Sequence, residues 1–420
     1  YDSASRAQAA GARASDYWDT AYYNGKLYVY FGVLPAVVFY LPYFLITGQD
    51  LPNFVPIAVC LVVLIAGIAR LLVQLARRWM PNVSVGALVL ALLLVSLGAQ
   101  LGWLVLSPSI YQVPVAMGLA LLVWAAVCMT SLDRRPLLVV PGALMVALVF
   151  ACRPQIGLFG LLLVPLGIQA LLAKGTLRAR MGYLAAALAP VVVVLAAIGL
   201  YNALRFGNPL DFGAAYNLTT NDMRLRPMTL DATNLALFSY LFQLPVIEPF
   251  FPFLEPVWPY PGSAARSAIQ TAWGYAGNIT VESPLGGLLW LSPLVWFVLA
   301  LFWEKGPGCL GKAFGTGQLL GNGLFSAKGM ALLCLVFVVV VVILDGEGAG
   351  ILPRYALDFS LPPLVLGAVG FMALDARRSP GEGPDRWWVA LGIIMLLGGV
   401  VVTIGVAFHA DVIQLSSIYE

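Results

Sequence analysis

Apolar residues in this chain gather into long unbroken runs instead of alternating with polar ones, and short polar stretches separate the runs. A hydrocarbon core about 30 Å thick takes roughly 20 residues of α-helix to cross. Ten runs approach that length, at 54–76, 83–106, 111–131, 137–152, 156–173, 181–202, 284–303, 330–344, 356–374 and 387–408. Those at 137–152 and 330–344 are short for a full span. The pattern predicts an all-α polytopic membrane protein whose bundle holds about ten transmembrane helices. A further apolar ribbon, 27–46, precedes them. Pro35 and Pro42 each remove a helical hydrogen bond from it, and Tyr28, Tyr30, Tyr40 and Tyr43 suit a membrane–water interface.

Charge orients this pattern. Arg77 and Arg78, Arg134 and Arg135, Lys174 with Arg178 and Arg180, Lys305 with Lys312 and Lys328, and Arg377 and Arg378 with Arg386 fall in every second loop. By the positive-inside rule those loops are cytoplasmic. They hold thirteen lysines and arginines against five acids, whereas acids outnumber bases in the opposite loops and ends. Were the ribbon an ordinary span, the alternation downstream would invert. The ribbon is therefore expected to rest in the outer leaflet as juxtamembrane helices, with a kinked true span as the competing reading. Because a polar segment comes first, an anchoring helix is expected upstream of Tyr1.

The expected organisation has an extracytoplasmic acidic segment with juxtamembrane helices at 1–52 and a first transmembrane bundle at 53–202. An extracytoplasmic cap rich in Pro, Asn, Asp and aromatics occupies 203–283. A second bundle at 284–408 includes a Gly-rich cytoplasmic loop at 304–329, and a short outer tail covers 409–420. Gly315 and Gly317 in that loop follow no strand and match no phosphate-cradle spacing, so a connector is expected there.

Composition agrees and narrows the chemistry. The chain is 61% hydrophobic and 10% charged, with mean hydropathy +0.90, against roughly one quarter charged in a soluble domain. Five cysteines stand singly without ligand spacing, and His409 is the one histidine, so a histidine zinc site is excluded. Carboxylates outside leave a divalent ion, Mg or Mn, open as a cofactor, but no metal ligand set has diagnostic spacing. Two sequons, at Asn217 and Asn278, face the outer side. No nucleic acid partner is expected.

Charges at membrane boundaries must be hydrated, paired or used. Arg153 in FACRPQIGL and Arg354 in GILPRYALDFSLPP lie beside outer helix ends, next to prolines that restrict the local backbone. Each presents a planar fork suited to phosphate, or snorkels to lipid headgroups. Asp2, Asp16 and Asp19 crowd the opening segment, where a carboxylate at a low-dielectric surface suits a general base. Each equally fits a helix cap. Few acids fall inside the apolar runs, and Arg70 and Gln74 near a cytoplasmic helix end are expected to snorkel.

An acidic segment followed by YYNGKLYVYFGVLPAVVFYLPYFLITG resembles the polyprenyl-phosphate-sugar-dependent glycosyltransferases of the GT-C superfamily, the group of the protein O-mannosyltransferases and the lipid A aminoarabinose transferase. Asn24, Gly25, Lys26, Leu27 and Tyr28 match its Asn-Gly and aromatic segment, and RPQIGL, YNALRFGNPLDFG and RYALDFSLPPL resemble recurrent segments of bacterial members. The resemblance implies a GT-C-like bundle in the bacterial cytoplasmic membrane with its active site facing outside. It implies inverting transfer of a sugar from a polyprenyl monophosphate donor to a glycan, lipid or protein acceptor. Asp2 stands where the catalytic aspartate is expected, although Ser3 follows where the group often has a second acid, so Asp16 and Asp19 remain reserves. Arg354, Arg153 and Lys26 would hold the donor phosphate, and Tyr22, Tyr23 and Asn24 would line the sugar or acceptor pocket. Competing functions are a flippase or transporter of lipid-linked sugars, whose polar groups would line a mid-membrane path, and an O-antigen ligase or polymerase that uses pyrophosphate-linked donors.

Overall fold

A computed structural model describes residues 20–29, 32–106, 108–218, 230–255, 285–302, 327–376 and 386–419. The first described element is an antiparallel hairpin, β1 (Thr20–Tyr23) and β2 (Lys26–Val29), with Tyr23 opposite Lys26. Asn24 and Gly25 both take positive φ, 49° and 76°, the mirror-image turn whose twist matches paired strands and which Asn-Gly favours. The ribbon then forms helix α1 (Val33–Thr47), which widens to a π-turn at Ala36–Tyr40, between Pro35 and Pro42.

Among the described residues each of the ten apolar runs contains helical backbone, but not as ten uniform rods. Among the described residues, six helices are long and apolar enough to cross a membrane: α2 (Phe54–Trp79), α5 (Gln112–Met129), α7 (Pro154–Leu172), α8 (Leu177–Phe206), Lys328–Gly348 and Pro353–Asp375. The last two belong to α11 (Ala327–Ala349) and α12 (Ala356–Asp375). This is an all-α membrane protein in its architecture. The run at 83–106 is broken into α3 (Val85–Gly98) and α4 (Gly102–Leu106) around Gln100, whose φ of 54° is incompatible with a continuing helix. α6 (Val139–Cys152) stops at Arg153 because Pro154 bars the helical conformation for the residue before it. Arg153 is accordingly extended, with φ −153° and ψ 108°.

The run at 284–303 differs most from a plain helix. After a single α-turn, α10 (Leu288–Leu291), it continues as a 3₁₀ helix over Pro293–Phe302, a form that rises about 2.0 Å per residue and is uncommon in long stretches. It lies against α12, and the contact is backbone on backbone. A Cβ on Gly367 would lie 2.2 Å from the Leu294 carbonyl oxygen, and one on Gly370 would lie 2.0 Å from that of Phe297. Small residues permit such approach between membrane helices, where packing replaces the hydrophobic effect as the force of association. α9 (Leu230–Leu237), prolonged by a π-turn at Phe238–Phe242, and α13 (Arg386–Tyr419) complete the helices used below.

Side-chain ties sort the helix termini into two ends. At one end Arg78 pairs with Asp133 and donates to the Thr130 carbonyl, while the Ser84 N–H donates to Asp375 at 2.7 Å. Met129, Leu132, Leu166, Tyr183 and Met330 pack together there, so the described basic loops around Arg77, Arg134, Lys174 and Lys328 share that end. Gln74, expected to snorkel, instead hydrogen-bonds the Val127 carbonyl and the Thr130 and Ser131 hydroxyls, clamping α2 to the parallel helix α5. Arg70 is exposed.

The opposite end carries Arg153, and α1 is fastened there at its start and at its middle. Gly32 abuts Pro114 and Cys152, and the Tyr40 hydroxyl donates to Asn53, the residue before α2, at 2.5 Å. The ribbon thus leaves and rejoins the bundle at one end. Replacing Gly370 with alanine is expected to force the 3₁₀ segment off α12 and cost about 1–3 kcal/mol. A lowered unfolding temperature in detergent checks this, and an unchanged one would show that the seam can yield.

Candidate functional site

At the Arg153 end, two regions distant in sequence, 153–155 and 345–358, bring charged groups together. Ejected from the helix by Pro154, Arg153 reaches α12, where Asp358 sits in the first turn with no exposed surface. Its Nε donates to both carboxylate oxygens at 2.6 and 2.7 Å, and Nη2 lies 2.6 Å from Oδ2. A carboxylate there also complements the positive end of the helix dipole. Burial opposes the charge on Arg153, but Asp358 outweighs it and raises the guanidinium pKa above its ordinary value.

Two further groups extend this pair. Asp345, near the end of α11 and 2% exposed, receives a hydrogen bond from Gln155 on α7, while its Oδ2 has no partner among the described residues. Tyr355 stands between the two arginines, its ring centroid 5.0 Å from the Arg153 guanidinium carbon and 5.4 Å from that of Arg354. Arg354 also lies 5.6 Å from the Tyr111 ring. Such stacking holds a cation over an aromatic face while leaving its in-plane donors directed elsewhere.

The loop that presents Arg354 is itself pinned. Pro353 opens a 3₁₀ turn, Pro353–Tyr355. The buried Tyr240 hydroxyl accepts from the Leu352 N–H at 2.9 Å and donates to its carbonyl at 3.1 Å. Thr233 donates to Glu347 at 2.6 Å, so α9 grips both sides of the α11–α12 connection.

The hairpin forms a second group at the same end. Arg205, at the end of α8, donates to the Val29 carbonyl at 2.9 Å and to Asn202 at 2.7 Å, and stacks 3.8 Å from the Tyr201 ring centroid. Tyr23 packs on Phe206 and Tyr216 at centroid distances of 5.6 and 4.5 Å. Asp211 accepts from the Tyr216 hydroxyl and the Gly213 N–H, and Ala21 bridges to Asn217. Tyr22 and Tyr23 are half-buried, while Asn24 and Lys26 are exposed at the turn.

The sequence-predicted residues therefore divide. Arg153 and Arg354 share one cluster through Tyr355. Tyr22, Tyr23, Asn24 and Lys26 share the hairpin, which Gly32 joins to the Arg153 region. Asp2, Asp16 and Asp19 lie outside the described residues. Sequence reasoning missed Asp345, Asp358, Gln155, Tyr240 and Arg205; both acids stand near helix ends, where boundary charges were expected, but they are buried. The available signal for Asp358 was its place one turn after Arg354 in RYALDF. Among the described residues no cluster of metal-ligating side chains occurs.

No family model matches the chain, and no curated protein or solved structure is significantly similar to it.

Taking away Asp358 would leave a buried guanidinium with its main partner gone, which costs about 3–5 kcal/mol in comparable buried pairs. Asp358→Asn is expected to lower the unfolding temperature clearly, whereas the double substitution Arg153→Met with Asp358→Leu recovers most of it. Equal loss in the single and double variants would show that the pair is not the source of the stability.

Proposed function

We propose that this protein is an inverting membrane glycosyltransferase of the GT-C type, built on about ten membrane-crossing segments. It moves a sugar from a polyprenyl monophosphate carrier to an acceptor hydroxyl on the extracytoplasmic face of a bacterial cytoplasmic membrane. The observation that carries the reading is the placing of Arg354 and Arg153 about Tyr355, at the bundle end that also holds the Tyr22–Lys26 hairpin. A carrier phosphate at that end would meet a planar cation, and its sugar would meet aromatic and amide side chains.

The chemistry needs few groups. The acceptor oxygen attacks the anomeric carbon, the bond from that carbon to the phosphate oxygen breaks, and the carrier leaves as its monophosphate. One carboxylate takes the acceptor proton, the role assigned to Asp2 with Asp16 and Asp19 in reserve. No second acid is required for so good a leaving group, unlike glycoside hydrolysis. Charge growing on the departing phosphate is stabilised by Arg354, with Lys26 as a further candidate. Arg153 acts there as one half of its ion pair with Asp358, which holds Tyr355 and hence Arg354 in place.

A second reading has its own support. Asp345 and Asp358 lie buried within helices long enough to span, the situation of acids that couple ion movement in transporters. A flippase of lipid-linked sugars would use them as such.

Purified protein offered sugars on polyprenyl monophosphate and on pyrophosphate carriers distinguishes these readings. Consumption of the monophosphate donor is expected. Use of the pyrophosphate donor alone would indicate a ligase or polymerase, and movement of an intact donor across vesicles would indicate a flippase. Asp2→Asn is expected to abolish transfer with donor binding nearly intact, and normal turnover would remove Asp2 from the mechanism. Arg354→Ala is expected to reduce kcat/KM about ten-fold or more, the worth of a charge-assisted hydrogen bond.

A further inference from the structure

Between α2, α5, α7, α11 and α12 lies a cavity of about 140 Å³ whose lining is almost wholly apolar, including Leu75, Trp79, Thr130, Leu166, Met330 and Leu361. A dry apolar cavity of about 150 Å³ accepts a group the size of benzene, so this one has room for a segment of hydrocarbon chain. From Leu71 to Trp79 its wall on α2 runs about 12 Å along the helix axis.

The two ends of the cavity differ. Toward the Arg153 end it stops at Phe159 and Leu361, one turn below Asp358, where the buried ion pair closes the bundle. Toward the other end its lining reaches Trp79 and Thr130, and Arg78 joins both, donating to the Thr130 carbonyl at 2.8 Å and lying 5.3 Å from the Trp79 ring. At that rim Asp133 pairs with Arg78 and the exposed Arg134 and Arg135 follow it, so among the described residues three arginines accompany one aspartate there. An apolar slot with a cationic mouth suits a membrane lipid with an anionic headgroup.

We propose that this cavity binds an acyl chain of an anionic phospholipid drawn from the leaflet at the Arg78 end, with its phosphate held by the rim arginines. The lipid fills the seam between the two halves of the bundle from the side opposite the Arg153 cluster, and it is separate from any ligand of that cluster.

Native mass spectrometry of the full chain, released from micelles containing equal phosphatidylglycerol and phosphatidylcholine of matched chains, tests this. Phosphatidylglycerol is expected to be retained about five-fold over phosphatidylcholine, the preference given by roughly one basic side chain near an anionic surface. Arg134→Gln with Arg135→Gln is expected to erase the preference, and Val365→Phe, which fills the cavity, to erase retention. Should Val365→Phe fail to fold, chain-brominated phosphatidylglycerol is added to the unaltered protein and to Trp79→Phe. Quenching that is lost in Trp79→Phe supports the site. Equal retention of the two lipids, quenching unaffected by Trp79→Phe, or displacement of phosphatidylglycerol by an equal amount of polyprenyl monophosphate would overturn it.

Discussion

The bundle depends on the ion pair between Arg153 and Asp358. Each partner would be intolerable alone in a low-dielectric interior, and attraction offsets desolvation only when geometry and further hydrogen bonds are favourable. Here three close nitrogen–oxygen contacts meet that condition. The pair joins the α6–α7 bend to the start of α12, and Gln155 with Asp345 adds α11 to the same knot. Buried charge of this kind favours one arrangement of helices over others that apolar packing alone would allow.

Local backbone chemistry makes the pair possible. Pro154 holds Arg153 out of helical geometry, and Pro353 shapes the turn ahead of Asp358. Tyr240 and Thr233 then fasten the α11–α12 connection from α9. Arg354 thus stands on a fixed platform, with the rings of Tyr111 and Tyr355 5.6 and 5.4 Å from its guanidinium carbon.

Much of this was legible in the residues. Apolar run length located the helices, and the alternating basic loops agree with the way Arg78, Asp133 and Met330 gather at one end. Where the ribbon docks was not legible in its residues; the ties of Gly32 and Tyr40 fasten it to the Arg153 end. The hairpin was missed although Asn24-Gly25 between Tyr-rich flanks signals it, because the apolar ribbon that follows dominates the hydropathy pattern. The buried acids were missed for another reason. Asp345 closes an apolar run and looks like a boundary residue, and the partner that makes Asp358 tolerable lies 205 positions away. The 3₁₀ segment at Pro293–Phe302 depends on glycines in another helix, so nothing within its own residues announces it.

Helix α1 is held to the Arg153 end by Gly32 at its start and by Tyr40 at its middle, while Leu41, Phe44, Leu45 and Ile46 along its second half stay exposed. Apolar side chains that no protein covers beside a bilayer are covered by lipid tails. The second half of α1 is therefore a hydrocarbon-coated shelf, solvated by the membrane and not by water.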